Sequence, residues 1–406
     1  MMREPPLQLE EAQARLLALV EPLQIERVDI DGALGRYLAE PLRARRTQPP
    51  AALSAMDGYA VSEGDLTGPW QVVGESAAGH PFEGTISSGQ AVRMSTGARL
   101  PADAACVILQ EDLARDQDRL TLTGEPPSPA HKHIRPCGLD FRDGDEVLPI
   151  GTRLGPAQLA LAISAGHRHL PVRRAPSVLV MDSGDELASD PEVCLEHQIP
   201  ASNAAMLAAM ARALPCEVQR VGPVPDSMEA LAEALSQGAD ADVIVTSGGA
   251  SVGDHDLVKP ALEAWGAKLG FWRVAIKPGK PIIVATREHG GKRQIILGLP
   301  GNPVSSHVTA YLFMLPLLRA LLGAARPLPR TLRLRLGAPL PSNGGRRCFV
   351  RATWDGEVVC AQSIQDSSAL ASLAASNVLI DRTANAPEAL AGEDVDAFWI
   401  ENGGIA

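Results

Sequence analysis

Aromatic side chains make up only 3% of the 406 residues, which leaves little of the stacking surface that single-stranded nucleic acid needs. Positive charge is also in deficit. Lys and Arg number 37 against 48 Asp and Glu, a formal net charge of −11, the wrong sign for a phosphate-backbone binder, although a local basic pocket for a small anion remains compatible with it. The six cysteines, Cys106, Cys137, Cys194, Cys216, Cys348 and Cys360, show no CxxC spacing, so they read as reduced, mostly structural thiols in a cytoplasmic protein. His131/His133 and His167/His169 lack Cys or carboxylate partners at ligand spacing and read as loop and surface histidines. Neither GxGxxG followed by an acidic residue nor GxxxxGKS/T occurs, which removes the two commonest nucleotide loops. No signal-peptide pattern opens the chain, and no apolar run approaches the roughly 20 residues of a membrane span. Small ligands are expected rather than polymers or membranes.

What is present is ordinary for a folded chain: 45% apolar and 21% charged residues, with 33 Pro and 37 Gly. A length prior of roughly 100–200 residues per domain predicts several domains. Leu9, Ala12, Leu16, Leu17 and Val20 follow helical spacing, so an amphipathic helix opens the chain and needs a partner surface. Residues 26–149 are short apolar runs punctuated by Gly and Pro, a β-rich inserted domain. Helical spacing resumes at Gln158–Ala165, a segment too small to stand alone. Residues 1–25 and 150–175 are therefore expected to form one discontinuous helical and dimerisation domain. From 176 to 326, strands at Val178–Met181, Glu217–Val221, Val243–Thr246 and Phe271–Ile276 alternate with helical stretches, which predicts a central doubly wound α/β domain with a parallel sheet. Asp226 with Glu229 resembles a capping box, and Asn302-Pro303 supplies the start of a long apolar helix to Leu322. Beyond a Pro327/Pro329 linker, period-two alternation in TLRLRLGAP and a hairpin Asp-Gly in WDGEVV predict a small β domain over 327–406, with a helix over Ser368–Ser376. The fold class is multidomain α/β plus β.

The stretch VIVTSGGASVGDHD (Val243–Asp256) is the most informative. Val243, Ile244 and Val245, without polar alternation, suit a strand covered on both faces; after Ser247, Gly248-Gly249 lets the chain turn with N–H groups free to bind an anion. In FWRVAIKPGKP, alternation puts Arg273, Ala275 and Lys277 on one face, while Pro278, Gly279 and Pro281 stiffen the turn that presents Lys280. GLPGNPVSS sets Pro300 and Pro303 around Gly301 ahead of a helix whose free N–H groups and dipole favour an anion. VLVMDSGDEL puts Ser183, Asp185 and Glu186 at a carboxyl edge, where ligands bind in open α/β sheets and where carboxylates hold magnesium. SAMDGYAV and GLDF put Asp57 and Asp140 in tight turns. Each feature alone has a plain structural counterpart: a strand-to-helix turn, a solvated basic edge, a capped helix start or a surface carboxylate.

Together they are specific. SAMDGYAV, STGARLP, SGDEL, TSGGASVGDHD, KPGKP and GLPGNPVSS occur in an order and at spacings that resemble the molybdopterin molybdenumtransferase family, also similar to the C-terminal domain of gephyrin, over nearly the entire chain. The resemblance implies an elongated four-domain homodimer with its active cleft at the dimer interface. It implies insertion of molybdate into adenylylated molybdopterin with release of AMP, helped by magnesium, and a molybdopterin adenylyltransferase as a partner. Carried over by position, it implies catalytic roles for Asp57, Asp140, Glu186, Asp256 and Lys277, and magnesium ligands from Glu186, Asp226 and Asp256. Substrate contacts are implied for Thr96, Arg273, Lys280, Pro300, Pro303, Arg351 and Ser367, to which the glycine turns add Ser247, Gly248, Gly249 and Gly301. The carboxylates suit metal-bridged charge neutralisation, and the cations and N–H groups suit tetrahedral oxyanions. Departures accompany the matches: Leu53 replaces a usual Asn, Asp103 and Ala105 alter the Pro101–Val107 run, Pro200-Ala201 alters His197–Asn203, and Arg273 replaces a frequent Lys. Two other classes compete, a nucleotide-handling adenylyltransferase and a non-catalytic dimeric scaffold. The first is disfavoured because TSGGASVG departs from the TTGGTG usual at its central turn.

Overall fold

The computed structural model describes residues 5–248 and 257–400, apart from the side chains of Phe271 and Trp272. Its centre is a six-stranded sheet with Val243–Ser247 inside it. The strand order is Glu217–Val224, Ser177–Ser183, Val243–Ser247, Lys292–Leu299, Pro281–His289, Lys268–Arg273. Successive side chains leave opposite faces of a strand. Val243, Val245, Ile295 and Leu297 thus enter one apolar core while Ile244 and Ile296 enter another. Helices cover both faces, which is why the Val243–Val245 run carries no polar alternation. Asn203–Arg212 and the helix from Pro303 lie on the first face; Met228–Gln237 and Val258–Ala264 lie on the second.

The first four strands are parallel, as alternation predicts, but the last two pairings are antiparallel, Pro281–His289 alone running against the rest, so the sheet is mixed. The cause is a hairpin: Pro281–His289 returns through Gly290-Gly291, both at positive φ, into Lys292–Leu299, with no crossover helix between them. The expected strand over Phe271–Ile276 also divides. Its first part ends at Arg273, and Ile276–Lys277 leaves the sheet to pair in parallel with Arg347–Cys348 of the C-terminal unit.

The N-terminal helix, Leu9–Leu17, buries Leu9, Ala12, Gln13 and Leu16, an i, i+3, i+4, i+7 stripe. Its seat corrects the expectation. The stripe joins the α/β core beside Leu312, Leu317 and Leu318, and Gln13 Nε2 donates to Leu312 O at 2.9 Å. Pro156–Ser164 instead packs in a separate core containing Ala33, Leu38, Leu42, Leu148, Ala162, Leu170 and Val172. That core is built around the antiparallel pairing of Ile25–Asp29 with His169–Arg173, which joins residues following the first helix, rather than the helix itself, to the 150–175 segment.

Between those segments lies the β-rich insertion, a six-stranded sheet ordered Ala104–Leu109, Gly58–Ser62, Gln90–Met94, Trp70–Ser76, Arg119–Leu122, Leu113–Asp116. The C-terminal sheet closes on itself, because Arg347–Trp354 pairs with both Val358–Ala361 and Val378–Arg382. Its helix covers Leu370–Ala374. One helical run, Pro303–Leu321, is long and apolar enough to cross a membrane, contrary to the sequence expectation, but 83% of its apolar 18-residue stretch is buried inside the protein. A π segment, Ala310–Met314, interrupts it.

Candidate functional site

The carboxyl edge of the central sheet gathers several segments that are distant in sequence. Val243–Ser247 ends at Gly248, whose φ of +97° and close approach to Ser183 O admit only glycine: a Cβ there would lie 2.4 Å from that carbonyl oxygen. Ser247 is 1% exposed and its hydroxyl is a hub. Ser247 Oγ donates to Pro300 O at 3.2 Å, pairs with Ser306 Oγ at 3.2 Å and accepts from Asn203 Nδ2 at 3.0 Å. The same Asn203 Nδ2 donates to Gly301 O at 2.6 Å. Gly301 therefore stands against Gly248: a Cβ added to it would meet Gly248 Cα at 3.5 Å. Beside Ser247 in the register is Asp182, a buried carboxylate that accepts from Ala204 N at 3.1 Å and anchors the Asn203–Arg212 helix. Burial pushes its carboxyl above the usual range.

The basic segment borders this edge. Val274 and Ile276 are fully buried while Arg273 and Ala275 are half-buried and Lys277 exposed, as alternation predicts. Lys280 is exposed, and Gly279 between the two lysines presses on the Pro303 helix, where a Cβ would lie 2.4 Å from Thr309 Cγ2. That helix start is less open than its sequence implies. Pro303 has no N–H, Val304 N donates to Ser367 O at 3.1 Å, and Asn302 Nδ2 donates to Ser367 Oγ at 3.1 Å rather than capping the helix through its side chain. Ser367 thus reaches the Pro300–Pro303 loop directly. Arg351 does not, which corrects its implied substrate contact. It is 1% exposed, and its guanidinium donates to Asp366 O (2.8 Å), Ala369 O (3.4 Å) and Ile364 O (3.1 Å). Arg351 holds the loop that carries Ser367.

The carboxylates fall into two groups. At the sheet edge, Asp226 N donates to Asp185 Oδ1 at 3.0 Å, and Asp185, Glu186 and Asp226 are all exposed. Partial burial, then the charges of Asp185 and Glu186, raise the Asp226 carboxyl. The helix cap expected at Asp226 belongs to Ser227, whose Oγ accepts from Ala230 N at 3.2 Å. Gly249 and Asp256 lie outside the described residues, and among the described residues no three His, Cys, Asp or Glu side chains form a ready metal cage. The second group sits on the inserted unit. Asp57 Oδ1 accepts from Thr96 N (2.7 Å) and Thr96 Oγ1 (2.9 Å), which holds its carboxyl below the usual range. Asp140 is exposed, its N–H bonded to Gln48 O at 3.0 Å. Among the described residues neither Asp57 nor Asp140 has a hydrogen bond or ion pair to the α/β edge within the chain.

Of the histidines in close sequence pairs, His167 Nε2 bonds Arg43 O at 2.7 Å, and His169 faces Asp29. The cysteines are free thiols, and burial pushes Cys106 to about 11 and Cys216 to about 12. Sequence reasoning missed Asn203, Ser306 and Asp182, although Asn203 closes the altered His197–Asn203 run.

Comparison with known proteins shows the family. Residues 7–166 match the MoeA N-terminal region (domain I and II), 179–320 a probable molybdopterin binding domain, and 333–398 the MoeA C-terminal region (domain IV). The chain is 37% identical over 321 residues to a molybdopterin molybdenumtransferase of Haemophilus influenzae, covering 78% of each chain. It is 32% identical over 343 residues to a gephyrin of Dictyostelium discoideum, covering 74% of this chain and 47% of that one. A crystal structure of the molybdopterin biosynthesis moeA protein from Pyrococcus horikoshii superimposes with a TM-score of 0.83 at 26% identity, over 98% of this chain and all of that one. The chain belongs to the molybdopterin molybdenumtransferase family, transferases of molybdenum cofactor biosynthesis.

Proposed function

We propose that the protein inserts molybdate into adenylylated molybdopterin and releases AMP. The observation that carries this reading is the meeting of Ser247-Gly248, Pro300-Gly301 and Ser367 at one sheet edge, beside the Lys277–Lys280 turn. Molybdate and a phosphoanhydride are oxyanions, which require fixed N–H donors and cations. Gly301 and Asn302 supply N–H groups at an exposed turn, and Lys277, Lys280 and Arg273 supply charge.

Glu186 and Asp226 fit a divalent cation, because their crowded carboxylates gain from a positive neighbour and magnesium accepts one or two carboxylates with waters and phosphate oxygens. We assign them, with Asp256, as its ligands. When bound, the cation neutralises charge developing on the phosphoanhydride. Asp57 and Asp140 are proposed to serve oxo-group protonation from the inserted unit. Since neither bonds to the α/β edge of its own chain, a symmetric homodimer with a shared cleft is part of the proposal, as is supply of substrate by a molybdopterin adenylyltransferase.

The test is AMP release from adenylylated molybdopterin with magnesium, with and without molybdate, for the natural protein and for Asp256→Asn at matched thermal stability. Molybdate-dependent release that falls by about 10²–10⁴-fold in the variant is expected. A natural protein that binds the pterin yet releases no AMP on addition of molybdate is a scaffold instead.

A further inference from the structure

We propose that Asn203 is a positioning residue that aims the backbone donors of Gly301 and Asn302 at the bound oxyanion. The inference rests on the reading of this edge as an oxyanion site. Its basis is the direction of two consecutive peptide groups. Pro300 O receives the Ser247 hydroxyl at 3.2 Å, and Gly301 O receives Asn203 Nδ2 at 2.6 Å. Both carbonyls therefore point into the polar cluster of Asn203, Ser247 and Ser306. In a trans peptide the N–H lies antiparallel to the C=O of the same unit. The N–H partner of the Pro300 carbonyl belongs to Gly301, and that of the Gly301 carbonyl belongs to Asn302. Fixing both carbonyls inward turns both N–H groups outward, to the side where Gly301 and Asn302 are exposed. Among the described residues neither N–H donates to a protein acceptor.

Asn203 suits the task because one amide nitrogen carries two donors and no lone pair for accepting. Those donors are divided between the strand end at Ser247 and the loop at Gly301, so the carboxamide holds the two glycine turns in fixed relation. It is itself held. It is the first residue of a helix whose Ala204 N–H is gripped by the buried Asp182 carboxylate. Asn203 touches no reacting atom in this role; it sets where Gly301 and Asn302 donate from.

The chemistry of the contact separates positioning from space filling. Asn203→Asp keeps size and shape but replaces the two-donor nitrogen with one acceptor oxygen that faces both Gly301 O and Ser247 Oγ. Asn203→Ala leaves a gap that water can enter. If the donors matter, Asp is the more damaging change; if only volume matters, Ala is.

The experiment is calorimetric binding of molybdate to the full-length protein and to both variants, paired with KM for molybdate and kcat for AMP release. Asn203→Asp is expected to weaken molybdate binding by about 10- to 100-fold, as misaimed groups do, with Asn203→Ala between it and the natural protein. The loss should appear in KM for molybdate as well as in kcat, at a thermal midpoint matched to Asn203→Ala. Affinity within about twofold of natural for both variants, or an Ala variant weaker than Asp, overturns the proposal. Should Asn203→Asp fail to fold, Asn203→Ala alone decides it, with about fivefold weaker molybdate binding as the threshold. A natural protein that binds molybdate without releasing AMP refutes insertion but leaves positioning to be judged by the binding ratio. One that binds no molybdate refutes both.

Discussion

Gly248→Ala should damage the protein far more than alanine at two other glycines, and the structure separates the reasons. Gly248 combines a φ of +97° with a virtual Cβ only 2.4 Å from Ser183 O. The backbone term costs about 1–3 kcal/mol for a residue with a Cβ. The steric term is added because Ser183 O belongs to the neighbouring strand rather than to a side chain that can rotate away. Restoring an ordinary contact of 3.4 Å needs about 1 Å of separation between parallel strands buried on both faces. Overpacking of that kind costs about 1–3 kcal/mol, so the total is about 2–6 kcal/mol. Gly97 isolates the first term, with φ of +81° and nothing within 4 Å of a Cβ, and Gly97→Ala should cost about 1–2 kcal/mol. At Gly301 the Cβ meets Gly248 Cα at 3.5 Å, an ordinary contact, so Gly301→Ala should fold within about 0.5 kcal/mol of natural. The assay is hydrogen–deuterium exchange of peptides spanning Val243–Ser247, which reports the opening free energy of that strand instead of a global midpoint blurred by several domains. Molybdate binding is measured on the same samples. Faster exchange in Gly248→Ala, with Gly301→Ala unchanged in exchange but weaker for molybdate, is the expected pattern. A Gly248→Ala protein whose strand exchanges no faster than that of Gly97→Ala would refute the reasoning.

Asp226→Asn should raise stability at neutral pH while weakening magnesium dependence. The raised carboxyl favours folding fully when protonated, below its unfolded pKa, and that contribution is lost as pH rises through the folded pKa, so the neutral side chain removes a penalty present at neutral pH. Solvent screening keeps the gain under about 1 kcal/mol, and thermal melts from acid to neutral pH should show the variant's advantage growing with pH; an advantage confined to acid would contradict it. Asp57 has the opposite sign: its lowered carboxyl supplies stability above the unfolded pKa that is lost as pH falls through the folded one. Thr96→Val removes the 2.9 Å hydroxyl bond and should move the Asp57 titration upward by NMR, with an unmoved midpoint counting against the pairing. Light scattering at micromolar concentration should give twice the 42.8 kDa chain mass, and a monomer mass would remove the shared cleft.

Much of this arrangement is legible in the chain, for reasons specific to each element. Val243–Val245 announces a doubly covered strand because every side chain is apolar and β-branched. The Arg273–Lys277 alternation gives the outward basic face correctly because only the buried members, Val274 and Ile276, must be apolar. What the chain conceals is pairing. Lys292–Leu299 looks no different as a hairpin return than as a crossover strand, so the antiparallel pairings at one end of the sheet were not foreseeable. The Leu9–Leu16 stripe states that the first helix is buried on one side but not against what, and the seat it takes lies some 300 residues downstream, at Leu312 (a separation of 299 from Gln13). Asn203 escapes for the same reason. Its partners are 44 and 98 positions away, and a lone Asn at a helix start reads as an ordinary cap. Arg351 shows the limit from the other side: position alone cannot distinguish a cation that meets ligand from one consumed by three carbonyls.

The C-terminal sheet holds the proposed oxyanion site together as much as the α/β unit does, and the contacts say how. Ile276–Lys277, the segment that carries one of the proposed oxyanion cations, is an edge strand of that sheet, paired with Arg347–Cys348. Arg347 is held by Asp381 through Nε at 2.7 Å and also pairs with Glu10 of the N-terminal helix. That helix lies on the α/β core, and Leu7 beside it bonds the backbone at Arg273 and Ala275. On the opposite flank, Arg351 secures the loop whose Ser367 bonds Asn302 and Val304. The Lys277 turn and the Pro300–Pro303 loop are therefore each fastened to the C-terminal unit through one strand, Arg347–Trp354, the first by pairing with its start and the second through Arg351 and the Ser367 loop. Misplacement of a binding group by about 1 Å can cost two orders of magnitude in rate. A sheet that grips both loops does more than cover the α/β unit: it fixes the distance between the cationic turn and the backbone donors that the proposed oxyanion would span.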